Sequence, residues 1–182
     1  MDELFLLPPA PVAMPRAYWL NQPFLSSQLV LIQPSTYEFA RIEEAIQTAK
    51  GGDFDMEIVN NLYNNSCIII PHRRYDVLTG EFRGKGSHAS YLGNTYETWD
   101  PEVAFKEAKF LHFSDWPVPK PWIDASDGVI EDNQPKCKLG HDNVTEDCRA
   151  RALWLGFYAD FKARRHVSLF TSLVNLVPQS YY

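Results

Sequence analysis

No apolar run in this chain stays unbroken for long. Gln28–Gln33 is closed by Pro34, Cys67–Ile70 by Pro71, and the stretch from Leu4 to Ala13 is broken by Pro8, Pro9 and Pro11. Proline fixes φ and removes a backbone donor, so each run can supply only a short strand. Residues 11–14, 28–33 and 67–70 therefore read as short buried strands. Between them the period changes. Ser35-Thr36-Tyr37-Glu38 is a capping box, and Phe39, Ile42 and Ile46 then recur at helical spacing until Gly51-Gly52. A second helix is expected over Asp55 to Asn64, with Ile58, Val59 and Leu62 on one face. Asp100-Pro101 opens a short helix and Lys109–Phe113 reads as a further strand. A long helix over Thr145 to Arg165 carries Leu153, Trp154, Phe157 and Phe161 in one apolar stripe that must pack on something. Strands alternating with helices point to an α/β arrangement.

Two stretches break the pattern. Arg73–Thr98 is rich in Gly, Tyr and charge, and a long irregular segment in a compact domain is more often a functional loop than filler. Residues 123–144 are polar and read as a linker between residues 1–122 and a helical extension, 145–182.

The net charge of −6 argues against nucleic acid or an anionic membrane surface as the main partner. The longest uncharged run, Ala17–Tyr37, holds Asn21, Gln22, Gln28 and Gln33 beside Pro23 and Pro34, which no transmembrane helix would tolerate. No membrane contact by the chain itself is expected. Asp2 and Glu3 stand where a signal peptide would be basic, so no targeting signal is read and the cytoplasm stays open as a location. Of three cysteines, Cys67 reads as a buried core thiol, while Cys137 and Cys148 can pair in an oxidising compartment. A zinc site with His141 lacks a fourth ligand. Asn64-Asn65-Ser66 and Asn143-Val144-Thr145 are glycosylation sequons, permissive rather than diagnostic.

The segment with most chemistry is Phe110-Leu111-His112-Phe113-Ser114-Asp115-Trp116-Pro117-Val118-Pro119-Lys120-Pro121-Trp122. An imidazole at a strand end can ligate a divalent metal, and an ammonium held between prolines can neutralise a diphosphate. A core histidine before an aromatic-proline turn is an equally good reading of the residues alone. No Gly-rich phosphate loop occurs. Asp53-Phe54-Asp55 imitates a metal-binding Asp-x-Asp, but its place between Gly-Gly and a helix makes Asp53 a cap.

His112 through Lys120-Pro121-Trp122 resembles the C-terminal signature of glycosyltransferase family 8, the glycogenin and galactinol-synthase group. Met1-Asp2-Glu3-Leu4-Phe5, Phe24–Ser35 and Asp55–Asn60 resemble three further family blocks in the same order. Over residues 1–122 the chain is most similar to fungal members described as N-acetylglucosaminyltransferases or glucose N-acetyltransferase-like. The resemblance implies a GT-A-like nucleotide-diphospho-sugar transferase fold, of which this chain would hold the C-terminal part. It implies a Mn²⁺ cofactor with His112 as a ligand, Lys120 and Trp122 at the nucleotide diphosphate, and Asp55 as the catalytic acidic residue on the sugar and acceptor side. Asp115 and Asp76 would be possible substrate contacts. The partners would be a nucleotide sugar, a UDP-sugar such as UDP-GlcNAc, and a glycan acceptor, in the Golgi lumen. Leu25, Ser27 and Met56 depart from the family's usual Asn, Gly and Gln, and the family's Asp-x-Asp would fall ahead of Met1. The expectation is therefore an N-terminally truncated, weakly active or inactive piece; the alternative is a binding module that keeps the fold without the chemistry.

Overall fold

The structure is a computed structural model that describes residues 1–84, 86–139 and 145–174, with side chains described as far as Arg165 within the last helix. His141 and Asn143, named above for zinc and for glycosylation, lie outside the described residues. The fold is mixed α/β with small sheets. Its strands are β1 (Val12–Pro15), β2 (Leu31–Ile32), β3 (Ile68–Ile70), β4 (Val77–Leu78), β5 (Leu111–His112), β6 (Lys138–Leu139) and β7 (Glu146–Asp147). Its helices are α1 (Thr36–Thr48), α2 (Asp55–Tyr63), α3 (His72–Tyr75), α4 (Gly80–Arg83), α5 (Ala89–Leu92), α6 (Pro101–Glu107), α7 (Asp127–Asn133) and α8 (Arg149–Val174). The chain divides into two compact units that interleave in sequence. The first comprises Met1–Val77, Ser87–Trp99 and Lys106–His112, and the second Leu78–Gly86, Asp100–Phe105 and Phe113–Tyr182.

The first unit is built on a three-stranded sheet in the order β2-β1-β3, with β1 antiparallel to β2 and parallel to β3. Successive residues of a strand face opposite sides, and β1 uses both. Val12 and Met14 pack with Leu25 and Tyr63, whereas Ala13 packs with Leu4, Ile70 and Tyr75. The capping box forms: Ser35 Oγ accepts the Glu38 N–H at 3.4 Å and opens α1. No residue of α1 is buried, and its Phe39 and Ile46 stay exposed. Ile42 alone of its apolar stripe packs, half-buried, against the cluster around Tyr63, and a polar contact joins it there: Tyr63 Oη donates to Glu38 Oε2 at 2.9 Å; burial, then the Glu38 carboxylate, push that phenol up to about 12.

Asn60 of α2 clamps the segment after β1. Its carboxamide oxygen accepts the Leu25 N–H at 2.7 Å, and its Nδ2 donates to Leu25 O at 2.9 Å and Met56 O at 2.8 Å. The paired backbone groups of Leu25 are thereby satisfied away from water. Asp53 caps a turn rather than the helix: its carboxylate accepts the Lys50 N–H at 2.9 Å, while Glu57 accepts the Phe54 N–H that opens α2. Cys67 is half-buried and free, with its thiol pushed up by burial. The Arg73–Thr98 stretch is a set of one-turn helices with β4. Its Arg73 pairs with Glu97 at 3.0 Å and Glu107 at 3.5 Å.

The second unit is organised by α8. Trp154, Phe157 and Tyr158 are buried, and Leu153 and Phe161 half-buried, so the stripe read from the sequence is a packing face. Phe157 meets the rings of Phe82 at 4.9 Å and Phe105 at 5.4 Å. The polar stretch ahead of α8 is not featureless, because it contains α7 and the β6–β7 hairpin, closed by a Cys137–Cys148 disulfide. Arg149, at the start of α8, joins Asp147 and Asp100, each at 2.8 Å. The Asp100 carboxylate also accepts the Glu102 N–H at 2.9 Å and the Val103 N–H at 3.1 Å, and so opens α6 as expected. No helix among the described residues is long and apolar enough to cross a membrane.

Removing the Asn60 amide leaves the buried Leu25 N–H and C=O without partners. Asn60→Ala is expected to lower the unfolding free energy by about 2–4 kcal/mol, read by urea denaturation. A loss near zero would show that water replaces the clamp.

Candidate functional site

The loop that follows β5 is fixed at its centre by a buried carboxylate. Asp115 is only 2% exposed. Its Oδ2 accepts hydrogen bonds from Thr79 Oγ1 and, at 2.9 Å, from Tyr158 Oη, while Oδ1 faces Arg83 Nη1 at 3.5 Å. A buried charge needs such partners, because isolated it would carry a large desolvation cost. Burial, then the charge of Asp115, push the Tyr158 phenol up, so its hydroxyl stays a donor. Thr79 also takes the Ser114 N–H at 3.1 Å, and Ser114 Oγ takes the Gly80 N–H at 3.2 Å. A Cβ at Gly80 would lie 3.0 Å from that Ser114 oxygen, so the close approach there suits glycine.

Arg83 spreads the network. Its Nη2 donates to Asn133 Oδ1 at 3.1 Å, its Nη1 to Trp116 O at 3.4 Å, and its guanidinium lies 5.9 Å from the centre of the Trp154 ring. The loop backbone is closed by Val118 N–H donating to Asp115 O and Ile123 N–H to Lys120 O, both at 2.8 Å. The Trp116–Pro117 peptide is cis. Helix α8 backs the loop with aromatic rings: Phe113 meets Tyr158 at 5.0 Å and Phe161 at 5.7 Å, and Trp122 meets Phe161 at 6.0 Å. Arg165 donates to Trp122 O at 3.2 Å, a tertiary contact in addition to its place on the helix.

The six residues named from the sequence divide between the units. Asp115, Lys120 and Trp122 share this loop in the second unit. Lys120 is half-buried and its Nζ donates to Phe113 O, whereas Trp122 is 52% exposed. Asp55, Asp76 and His112 belong to the first unit. Asp55 is exposed in the first turn of α2, and His112 is half-buried at the end of β5. Asp76 is fully buried between α3 and β4, and neither of its oxygens meets hydrogen-bond geometry among the described residues. Burial raises its pKa to about 6, although the neighbouring Ser26 hydroxyl tempers the rise.

The side chains that hold Asp115, namely Thr79, Arg83 and Tyr158, were not singled out from the sequence. They lie 36, 32 and 43 residues away along the chain. The one usable signal was Tyr158, which neighbours Phe157 on the apolar stripe.

Among the described residues, the one group of three or more His, Cys, Asp or Glu side chains with ligand atoms close enough to share an ion is Cys137, Glu146 and Cys148. Its two sulfurs are joined in the disulfide. His112 belongs to no such group, so the described residues do not by themselves assemble a manganese site.

No protein-family model matches the chain, and no solved structure matches it. Curated fungal proteins do. The chain is 55% identical over 166 residues to Glucose N-acetyltransferase 1 of Gibberella zeae, covering 88% of this chain and 36% of that protein. It is 47% identical over 180 residues to the protein of the same name in Aspergillus fumigatus, covering 92% of this chain and 47% of that protein. To the Candida albicans protein of that name it is 28% identical over 184 residues, covering 78% of this chain and 40% of that protein. All three relatives bear the name of a glucose N-acetyltransferase. The chain spans less than half the length of each of the three.

Asp76 makes stability depend on pH in a direction opposite to that of most carboxylates. Its folded pKa, about 6, lies above the ordinary value of 3.8, so the native state binds more protons than the unfolded chain between those values. Stability should therefore rise as pH falls from about 6 to about 4. Asp76→Asn should be the more stable protein at pH 7.5, by on the order of 2–3 kcal/mol, with the advantage shrinking by pH 4.5. Urea unfolding at the two pH values checks this; a constant difference would show that Asp76 ionises normally in the fold.

Proposed function

We propose that this chain is part of a sugar-modifying transferase with a GT-A-like fold that moves a sugar from a nucleotide diphosphate donor to a hydroxyl of a glycan. The observation that carries the reading is the loop Phe113–Trp122 in a chain 55% identical to a glucose N-acetyltransferase 1. That loop is braced by a buried carboxylate and by an aromatic helix face, which is how a protein holds a binding segment in place before its ligand arrives. Lys120 offers a compact positive charge in it, suited to the phosphates of a UDP-sugar such as UDP-GlcNAc. Trp122, half exposed, offers a ring beside that charge. Asp55, exposed at the start of α2, is placed in this reading at the sugar and acceptor side.

A transferase of this kind would use a Mn²⁺ ion to neutralise the leaving diphosphate. His112 would give it one imidazole, with the other ligands supplied by parts of the transferase outside this chain. The Golgi lumen is the proposed location. The Cys137–Cys148 disulfide and the exposed sequon at Asn64 both suit an oxidising, glycosylating compartment.

A second reading, a binding module without catalysis, has one observation in its favour. Leu25 and Ser26 are 0% exposed and Leu25 packs in the core of the first unit, so the block where the family contacts sugar serves packing here.

Calorimetry with UDP, with and without Mn²⁺, tests the proposal. Lys120→Ala is expected to weaken UDP by roughly 10–100-fold, the range for losing a charge-assisted contact, and Lys120→Arg should restore part of it. His112→Ala should abolish any gain from Mn²⁺. UDP binding that ignores both residues would overturn the donor site, and no UDP binding at all would favour the module.

A further inference from the structure

One motif of the sequence has no role in the reading above, the triplet Asn64-Asn65-Ser66. Its spacing is that of an acceptor for N-linked glycosylation, which by itself says little, because such triplets arise by chance. The fold adds where the three residues stand. Helix α2 ends at Tyr63, and residues 64–66 form the turn that leads to β3. The Ser66 and Cys67 N–H groups both donate to Tyr63 O at 2.9 Å, which sets the turn, and Asn64, Asn65 and Ser66 are all exposed. A bulky, hydrophilic group on such a turn displaces no packed side chain.

The amide of Asn64 is used on one side only. Its Oδ1 accepts a hydrogen bond from Arg16 Nη1 at 3.3 Å, while its Nδ2 donates to nothing among the described residues. N-glycosylation takes that second atom. Nδ2 attacks C1 of an oligosaccharide carried on a polyprenyl diphosphate. The Nδ2–C1 bond forms, the C1–O bond breaks, the diphosphate leaves with the electron pair, and a base takes one Nδ2 proton. Transfer of this kind acts on the chain as it is made, so the native turn must then accommodate the product. The carbonyl oxygen is unchanged by the reaction, and the Arg16 contact can form with the glycan in place.

Asn60, one turn earlier on α2, shows the opposite case. It is 7% exposed, and both its Oδ1 and its Nδ2 are committed to the clamp on Leu25, so a group on its nitrogen would break a core contact. The Cys137–Cys148 disulfide is an observation independent of the triplet. Disulfides form and persist along the oxidising route of a secreted chain, the route on which oligosaccharide is transferred.

We propose that Asn64 is the attachment site of an N-linked oligosaccharide. Its use in the cell rests on the lumenal location proposed above, whereas its competence as an acceptor does not, and the test separates the two. The intact chain would be sent through the secretory pathway of a yeast host by a cleavable signal, and also recovered from its own cells. Peptide-N-glycosidase in heavy-oxygen water converts each glycosylated Asn to a labelled Asp. Fragmentation of the tryptic peptide Gly51–Arg73 then reports Asn64 and Asn65 separately, and Asn143 falls in a different peptide. Most of the secreted chains should carry the label at Asn64. Asn64→Gln and Ser66→Ala should each abolish it in that peptide, and Ser66→Thr should keep it. Asn65 has Cys67 in place of a Ser or Thr two residues on, and should stay unlabelled. A secreted chain without label at Asn64 overturns the proposal, as does a label that survives Ser66→Ala. Label on the secreted chain but none on the chain from its own cells would remove the lumenal location and leave the acceptor standing.

Discussion

The second unit depends on one buried charge. Asp115 sits 2% exposed in the middle of a loop, and three side chains from two helices and the segment between β4 and α4 converge on it. A carboxylate in that position is costly unless its partners are in place, and removing one partner of such a pair typically costs roughly 3–5 kcal/mol. The same expense makes the arrangement specific. Thr79 and Tyr158 donate to Asp115 Oδ2 while Arg83 faces Oδ1, and the path of the loop lets all three converge.

The proposed site and the stability of the second unit therefore share the same atoms. The guanidinium that faces Asp115 also bonds the Asn133 side chain and the carbonyl of Trp116 in the loop. Tyr158 donates to Asp115 while its ring packs on Phe113, and Phe161, one turn on, meets Trp122. Lys120 lies on the segment so held. Long side chains that are already bonded lose less freedom when a ligand arrives.

Elements marked by local chemistry were legible in the sequence. The Ser35 capping box, the Asp100 cap before Pro101 and the Leu153–Phe161 stripe each needed only neighbouring residues, and each appears where that chemistry put it. The proline-bounded runs did form strands: β1 keeps its expected length, shifted by one residue, while β2 and β3 are shorter than the runs that hold them. What was hidden depends on contacts remote in sequence. Nothing local marks Thr79 or Arg83 as partners of Asp115, and polar composition between residues 123 and 144 masked α7, whose helix is short and has no buried residue. Asp76 could be named from its place in a motif, but its complete burial could not. The exposed face of α1 was equally hidden, since a capped helix with an apolar stripe ordinarily buries it.

Hydrogen exchange across the loop addresses the central claim most directly, by comparing the intact chain with Tyr158→Phe. That change removes only the hydroxyl which donates to Asp115. The expected result is faster exchange at the Val118 and Ile123 amides, which close the loop on Asp115 O and Lys120 O, with the amides of β1 unchanged. Protection of Val118 and Ile123 that is identical in the two proteins would contradict the claim that the buried carboxylate holds this loop in place.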